Sequence, residues 1–228
     1  MLNPRGILFD LDGTLVDTSR DITANLNRAF VSLGYQHLPH ETILSHVGYG
    51  AHYLVQQCLQ IHQPEIKVEE KLVTELWEQF RAFYREHIID EAQPYPGVLP
   101  FLKQEKRPMG VISNKPEEFV LAILSELNLL QYFKFTWGRD TLPVSKPDPE
   151  VIRFGIHELG IDRTSHVAMV GDSPVDIRAA KGAGAISVAL SYGFSPLAEL
   201  EMETPDFLFH RFNDFSATVQ PDINSKSS

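Results

Sequence analysis

Asp10 and Asp12 stand two residues apart, where the apolar run Gly6-Ile7-Leu8-Phe9 breaks into Asp10-Leu11-Asp12-Gly13-Thr14. Side chains alternate along a strand, so acids at i and i+2 at its carboxyl end point to the same side. Two carboxylates about 4 Å apart, at an effective dielectric near 20, repel by roughly 4 kcal/mol. A protein keeps such a pair when a cation lies between them or when one of them carries a proton. Hard oxygen ligands in that arrangement suit magnesium. Three more polar sets occur further along: Ser113-Asn114-Lys115, then Lys146 between Ser145 and Pro147, then Asp172-Ser173 with Asp176.

Helix and strand signals alternate along most of the chain, which predicts an α/β fold: a Rossmann-like parallel sheet core with helices on both faces. Short apolar runs at 109–112, 133–137, 166–170, 186–190 and 207–209 join the first one as strands. Between them, Pro116 opens a helix that carries Phe119, Val120, Ile123, Leu124 and Leu127 on one side. Helices over 151–159 and from Pro174 follow. The stretch 16–89 differs, having helical periods and no convincing strand. Thr18 with Asp21 reads as its first helix start, ahead of the stripe Ile22, Leu26, Phe30 and Leu33. Val68, Leu72, Leu76, Phe80, Phe83 and Tyr84, flanked by Trp77, form a second, longer stripe. Residues 16–89 are therefore expected to be a small all-helical insertion after the first strand, leaving 1–15 and 90–220 as the α/β core. The polar tail 221–228 reads as disordered.

Ligands bind outside the carboxyl ends of the strands in an open parallel sheet, and parallel strands share that edge. The four polar sets are thus expected to converge there. Each also has a plainer reading. Asp10-Leu11-Asp12-Gly13 is a usable strand-to-turn exit, although its charge repulsion is then uncompensated. Ser113-Asn114 suits the cap of the helix at Pro116. Ser173 with Asp176 makes a capping box around Pro174. Lys146 in isolation reads as a solvated loop lysine. The order and placement of the four sets together is what favours a shared site.

These residues resemble the motifs of the haloacid dehalogenase superfamily of phosphotransferases nearly end to end. The first motif is Asp10-Leu11-Asp12-Gly13-Thr14, the second Ser113, the third Lys146-Pro147, and the fourth Gly171-Asp172-Ser173-Pro174-Val175-Asp176. Val47-Gly48-Tyr49-Gly50-Ala51, Asn114-Lys115-Pro116 and Asp176-Ile177-Arg178-Ala179-Ala180 are similar to bacterial phosphoglycolate phosphatases. Ser113 stands where those enzymes usually carry Thr, which keeps the hydroxyl. The resemblance implies a magnesium-dependent phosphatase for a small phosphorylated metabolite, 2-phosphoglycolate first among them. Sugar-phosphate phosphatase, pyrophosphatase and phosphomutase chemistry are alternatives within the superfamily, and a non-catalytic phosphometabolite-binding protein is one outside it. Dehalogenation leaves Asp12 as an unexplained acid.

In this reading Asp10 is the nucleophile, already ionised at neutral pH. Asp12 is the general acid and base, neutral in the first step through its proximity to Asp10. Magnesium is held by the Asp10 carboxylate, the Asp12 carbonyl and Asp172. Ser113, Asn114 and Lys146 bind the phosphate, with Asp176 and Ser173 behind them. The helical insertion becomes a cap, with Gly48, Tyr49, Gly50 and His52 expected to reach the substrate.

A formal charge of -10 argues against nucleic acid, which needs clustered Lys and Arg. The single cysteine, Cys58, excludes an internal disulfide and reads as a small buried hydrophobe. The segment before the first strand is too short for a signal peptide, and nothing approaches 18 consecutive apolar residues. A cytoplasmic monomer or homodimer is expected.

Overall fold

The computed structural model describes residues 2–65 and 67–219. The expected disordered tail lies outside them. The strands are β1 (Gly6–Phe9), β2 (Val16–Asp17), β3 (Gln93–Pro94), β4 (Met109–Ile112), β5 (Phe135–Trp137), β6 (Val167–Gly171), β7 (Ile186–Leu190) and β8 (Phe207–Phe209). The helices are α1 (Ser19–Ser32), α2 (His40–Leu44), α3 (Ala51–His62), α4 (Glu70–Glu86), α5 (Val98–Gln104), α6 (Glu117–Glu126), α7 (Pro149–Leu159), α8 (Pro174–Ala183), α9 (Leu197–Met202) and α10 (Phe212–Thr218). Six strands form one sheet in the order β5-β4-β1-β6-β7-β8, and every pairing in it is parallel.

Burial on both faces explains why these strands read as continuous apolar runs. Ile7 and Phe9 of β1 face one layer with Val98 and Leu102 of α5, Val120 and Ile123 of α6, and Phe212 and Phe215 of α10. Leu8 faces the other layer, with Ile152 and Ile156 of α7 and Ala179 and Ala180 of α8. Phe9 is fully buried, with the rings of Phe101, Phe133, Phe212 and Phe215 centred 6.2–6.4 Å from its own.

Helices α1 to α4 bury an apolar cluster of their own around Leu26, Phe30, Val55, Leu59, Leu76 and Phe80. Cys58 lies inside it, and burial pushes its thiol up to about 12, as suits an inert apolar side chain. Phe119, from α6 beneath the sheet edge, inserts its ring between Tyr84 (4.9 Å) and Trp77 (6.4 Å) of α4. Arg81 and Arg85 of α4 both grip Glu118, at 2.6 and 2.7 Å. The helical unit is thereby tied to the loop side of β4.

The structure differs from the sequence expectations in three places. Val16–Asp17 is a strand, paired antiparallel with Gln93–Pro94, so a two-residue ribbon joins the two crossings where a helical stretch was expected. It is too short for any period to register. Thr18 precedes α1 but makes no side-chain cap bond; its hydroxyl goes instead to Asp12 at 2.6 Å. Asp21 likewise accepts from the backbone of Glu91 and Ala92 across the ribbon instead of completing a capping box. Finally, α4 begins at Glu70, after Val68, and the fifth strand at Phe135, after Phe133.

Replacing Phe9 with Ala empties the centre of the aromatic cluster next to Asp10. Chemical denaturation is expected to register a loss of about 3–5 kcal/mol. A loss below about 1 kcal/mol would mean that these rings do not hold β1 in place.

Candidate active site

The three central strands of the sheet, β4, β1 and β6, are neighbours and run the same way, with Phe9 in register with Val111 and Val170. Each ends in a polar residue at one edge: Asp10 after β1, Ser113 after β4, Asp172 after β6. The loop before α7 brings Lys146 to the same place, and the first turn of α8 brings Asp176.

Lys146 is fully buried. Its Nζ lies 3.0 Å from Asp10 Oδ1 and 2.6 Å from Asp176 Oδ1. Burial disfavours its charge, but the two carboxylates outweigh this and raise its pKa. Oxygens of Asp10, Asp172 and Asp176 all lie within 4.8 Å of one another. Burial, more than the neighbouring acids, lifts Asp10 to about 6 against the pull of Lys146. Burial and the charges of Asp10 and Asp176 raise Asp172 well above the usual carboxylate range. Three carboxylates around one ammonium leave the cluster short of positive charge.

The backbone aims these acids. Leu11 N–H donates to Asp10 Oδ1 at 2.7 Å. Phe194 N–H donates to Asp172 Oδ2 at 2.7 Å, and the Thr14 hydroxyl to Oδ1 at 3.2 Å. Gly13 has φ +75, and a Cβ there would stand 2.2 Å from Asp172 Oδ2, so only glycine fits. Ser173 N–H and Oγ both donate to Asp176 Oδ2, at 3.1 and 2.5 Å. The capping reading and the site reading of Asp176 therefore hold together: one oxygen closes the helix start and the other grips Lys146. Ser113 is buried, and its Oγ accepts from Lys115 N–H at 3.3 Å, which keeps its own O–H for donation.

Asp12 departs from expectation. Its carboxylate is outside the cluster, taken by Lys115 Nζ at 3.1 Å to each oxygen and by the Thr18 hydroxyl. Its nearest charged partner is the Lys115 ammonium. Lys115 was passed over in the sequence as one member of a loop triplet. Its pKa is raised because Asp12 outweighs the cost of burial.

Asn114 also corrects the sequence reading. Both of its amide protons are spent, on Gly48 O and Lys146 O at 2.9 Å each, so its side chain is a strut and not a phosphate donor. Two residues expected to face the substrate do not reach it. His52 is exposed on α3 and paired with Glu70 at 2.8 Å. Tyr49 is 40% exposed and packs on Tyr53. Gly48 and Gly50 do line the cleft between helical unit and sheet edge. Asp10, Asp12, Ser113, Asp172 and Ser173 form its polar floor, while Ile22, Val47, Leu54, Phe80 and Phe119 wall it.

Residues 7–190 match the sequence model of the haloacid dehalogenase-like hydrolases. This chain belongs to that family. The phosphoglycolate phosphatase of Pseudomonas savastanoi pv. phaseolicola is 36% identical, covering 99% of this chain and 86% of its own length. That of Neisseria meningitidis is 34% identical, covering 97% and 96%. Among solved structures, one described as a predicted phosphoglycolate phosphatase from Haemophilus somnus superposes with a TM-score of 0.88 at 29% identity, covering 95% of this chain and 98% of that one. Among the described residues of this hydrolase, no helix is long and apolar enough to cross a membrane.

The raised pKa of Asp10 has a defined consequence for stability. The folded protein binds this proton more tightly than the unfolded chain, whose value is 3.8, so the Asp10 contribution to stability is fully present below about pH 4 and is lost as pH rises through about 6. With chelator present, the Asp10→Asn variant should escape about 3 kcal/mol of this loss relative to wild type. Parallel denaturant midpoints of the two proteins between pH 4 and 6.5 would contradict it.

Proposed function

We propose that this hydrolase is a magnesium-dependent phosphatase that acts on a small phosphorylated metabolite, 2-phosphoglycolate, through an aspartyl-phosphate intermediate. One observation carries the chemistry: Asp10, buried on Lys146, stands in a carboxylate cluster with too little positive charge, at the floor of a cleft. The names of the relatives support the substrate, and their similarity spans nearly the whole chain.

The donor set fits magnesium. It consists of hard oxygens, and three acids against one ammonium call for about two more positive charges. Asp10 and Asp172 would hold the ion, together with the Asp12 carbonyl. When bound, it supplies the charge that lets an anionic nucleophile meet an anionic phosphate.

Asp10 attacks phosphorus, the bond to the ester oxygen breaks, and Asp12 gives its proton to the departing alkoxide. Water then attacks the phosphoryl group, Asp12 takes a proton from it, and the bond to Asp10 breaks to release inorganic phosphate. Ser113 donates to a phosphoryl oxygen. Lys146 offsets charge on Asp10 and on the phosphate, held in position by Asp176. Helices α1 to α4 act as a cap that excludes water.

Asp10→Asn is expected to fold and to lose about 10⁴-fold or more in turnover of 2-phosphoglycolate. Chelation should abolish wild-type turnover, and magnesium should restore it. An Asp10→Asn enzyme near wild-type rate would rule out the covalent route. Gly50 has φ +98 and lies against Asn114 O, so Gly50→Val strains the cap loop where it meets the floor. Its KM for 2-phosphoglycolate should rise about tenfold. An unchanged KM removes this loop from substrate binding.

A further inference from the structure

Lys115 is the one cation among the described residues that line the cleft. Its side chain is only 6% exposed, and its ammonium stands over the Tyr84 ring, 4.6 Å from the centroid. The phosphatase chemistry assigned above does not use it, since Lys146 serves Asp10 and the phosphate. Its only carboxylate partner is Asp12, and Asp12 keeps the Thr18 hydroxyl at 2.6 Å if Lys115 turns elsewhere.

Tyr84 supplies a second, independent observation. It is fully buried, it lines the same cleft, and its hydroxyl, beside the Lys115 ammonium, donates its proton to no acceptor among the described residues. Buried hydroxyls almost always find a partner, because leaving one unmade forfeits the full cost of drying it. Burial also pushes this phenol up to about 12, so it stays a donor at working pH. An ammonium and an unused O–H donor thus share one spot of the cleft, beside Asp12. That combination suits an oxygen anion.

Position narrows the ligand. Lys115 holds both oxygens of Asp12, the residue that faces the leaving oxygen in the proposed mechanism. In that mechanism the part of the substrate beyond the leaving oxygen lies on the Asp12 side of the cleft, where Lys115 is the lining cation. We infer that Lys115 and Tyr84 form a seat for a second anionic group of the substrate, a carboxylate close to the ester oxygen. Lys115 exchanges Asp12 for that carboxylate as substrate enters, and Tyr84 donates to its other oxygen. This inference rests on the phosphatase reading and adds a basis for choosing acidic phosphomonoesters over neutral ones.

The test compares 2-phosphoglycolate with 2-hydroxyethyl phosphate, in which CH₂OH replaces the carboxylate. Wild type should favour 2-phosphoglycolate in kcat/KM. Lys115→Met should cut that preference by at least about thirtyfold, mainly through KM, and Lys115→Arg should restore part of it. Tyr84→Phe, which removes a single buried oxygen, should cut it about tenfold. Affinities measured by calorimetry in an Asp10→Asn background should move in the same way, without depending on turnover. If the variants slow both esters equally and the affinity ratio holds, the pair serves Asp12 or the fold, and only the carboxylate seat is overturned. If wild type hydrolyses the neutral ester as well as the acidic one, both the seat and the 2-phosphoglycolate assignment fall, while phosphatase chemistry stands. If wild type hydrolyses neither ester and binds both equally, the function and the seat fall together.

Discussion

Three carboxylates are forced together in a buried place, and one lysine cannot balance them. The rest of the molecule is arranged around that conflict. Parallel strands deliver Asp10 and Asp172 to one edge, and the capped start of α8 adds Asp176. The backbone amides of Leu11 and Phe194 hold the first two in place at 2.7 Å each. Such a cluster is costly in a folded protein unless a ligand resolves it, because burial disfavours every one of the charges. The apolar layers on both sides of the sheet offset that cost.

The two acids of the first loop are sorted into different surroundings. Asp10 shares its space with acids and with Lys146, whereas Asp12 faces Lys115 and Thr18. Neighbouring carboxyl groups take on separate tasks when their environments are separated in this way. β1 ends at Phe9, before either acid, so the alternation that would align their side chains no longer applies. Each acid thus has its own lysine, brought from a different part of the chain.

The sheet and the strand-end acids were legible in the sequence because both signals are local. An apolar run that stops in Asp or Ser identifies its own exposed end, and parallel order brings distant ends together. What stayed hidden depends on partners. Thr18 reads as a helix cap, and only the fold reveals Asp12 within reach of its hydroxyl. Tyr84 falls on an apolar helical stripe and does pack there, so nothing in the periodicity marks its oxygen as unpaired. Phe194 contributes a backbone N–H, which has no signature in the residue type. His52 was misread because histidine in a glycine-rich loop invites a functional reading, while α3 turns it outward to Glu70. Asn114 had the right address and the wrong task, since two carbonyls consume its donors.

That amide also adds a tie between two parts of the molecule. One NH₂ group bonds to Gly48 in the helical unit and to the carbonyl of Lys146 in the sheet domain. Swinging the helices away from the strands breaks the first of these bonds and frees the side chain to loosen the second. The carbonyl of the buried lysine and the glycine loop of the helical unit thus share one donor group. A substitution at this one side chain would therefore be felt on both sides of the cleft at once.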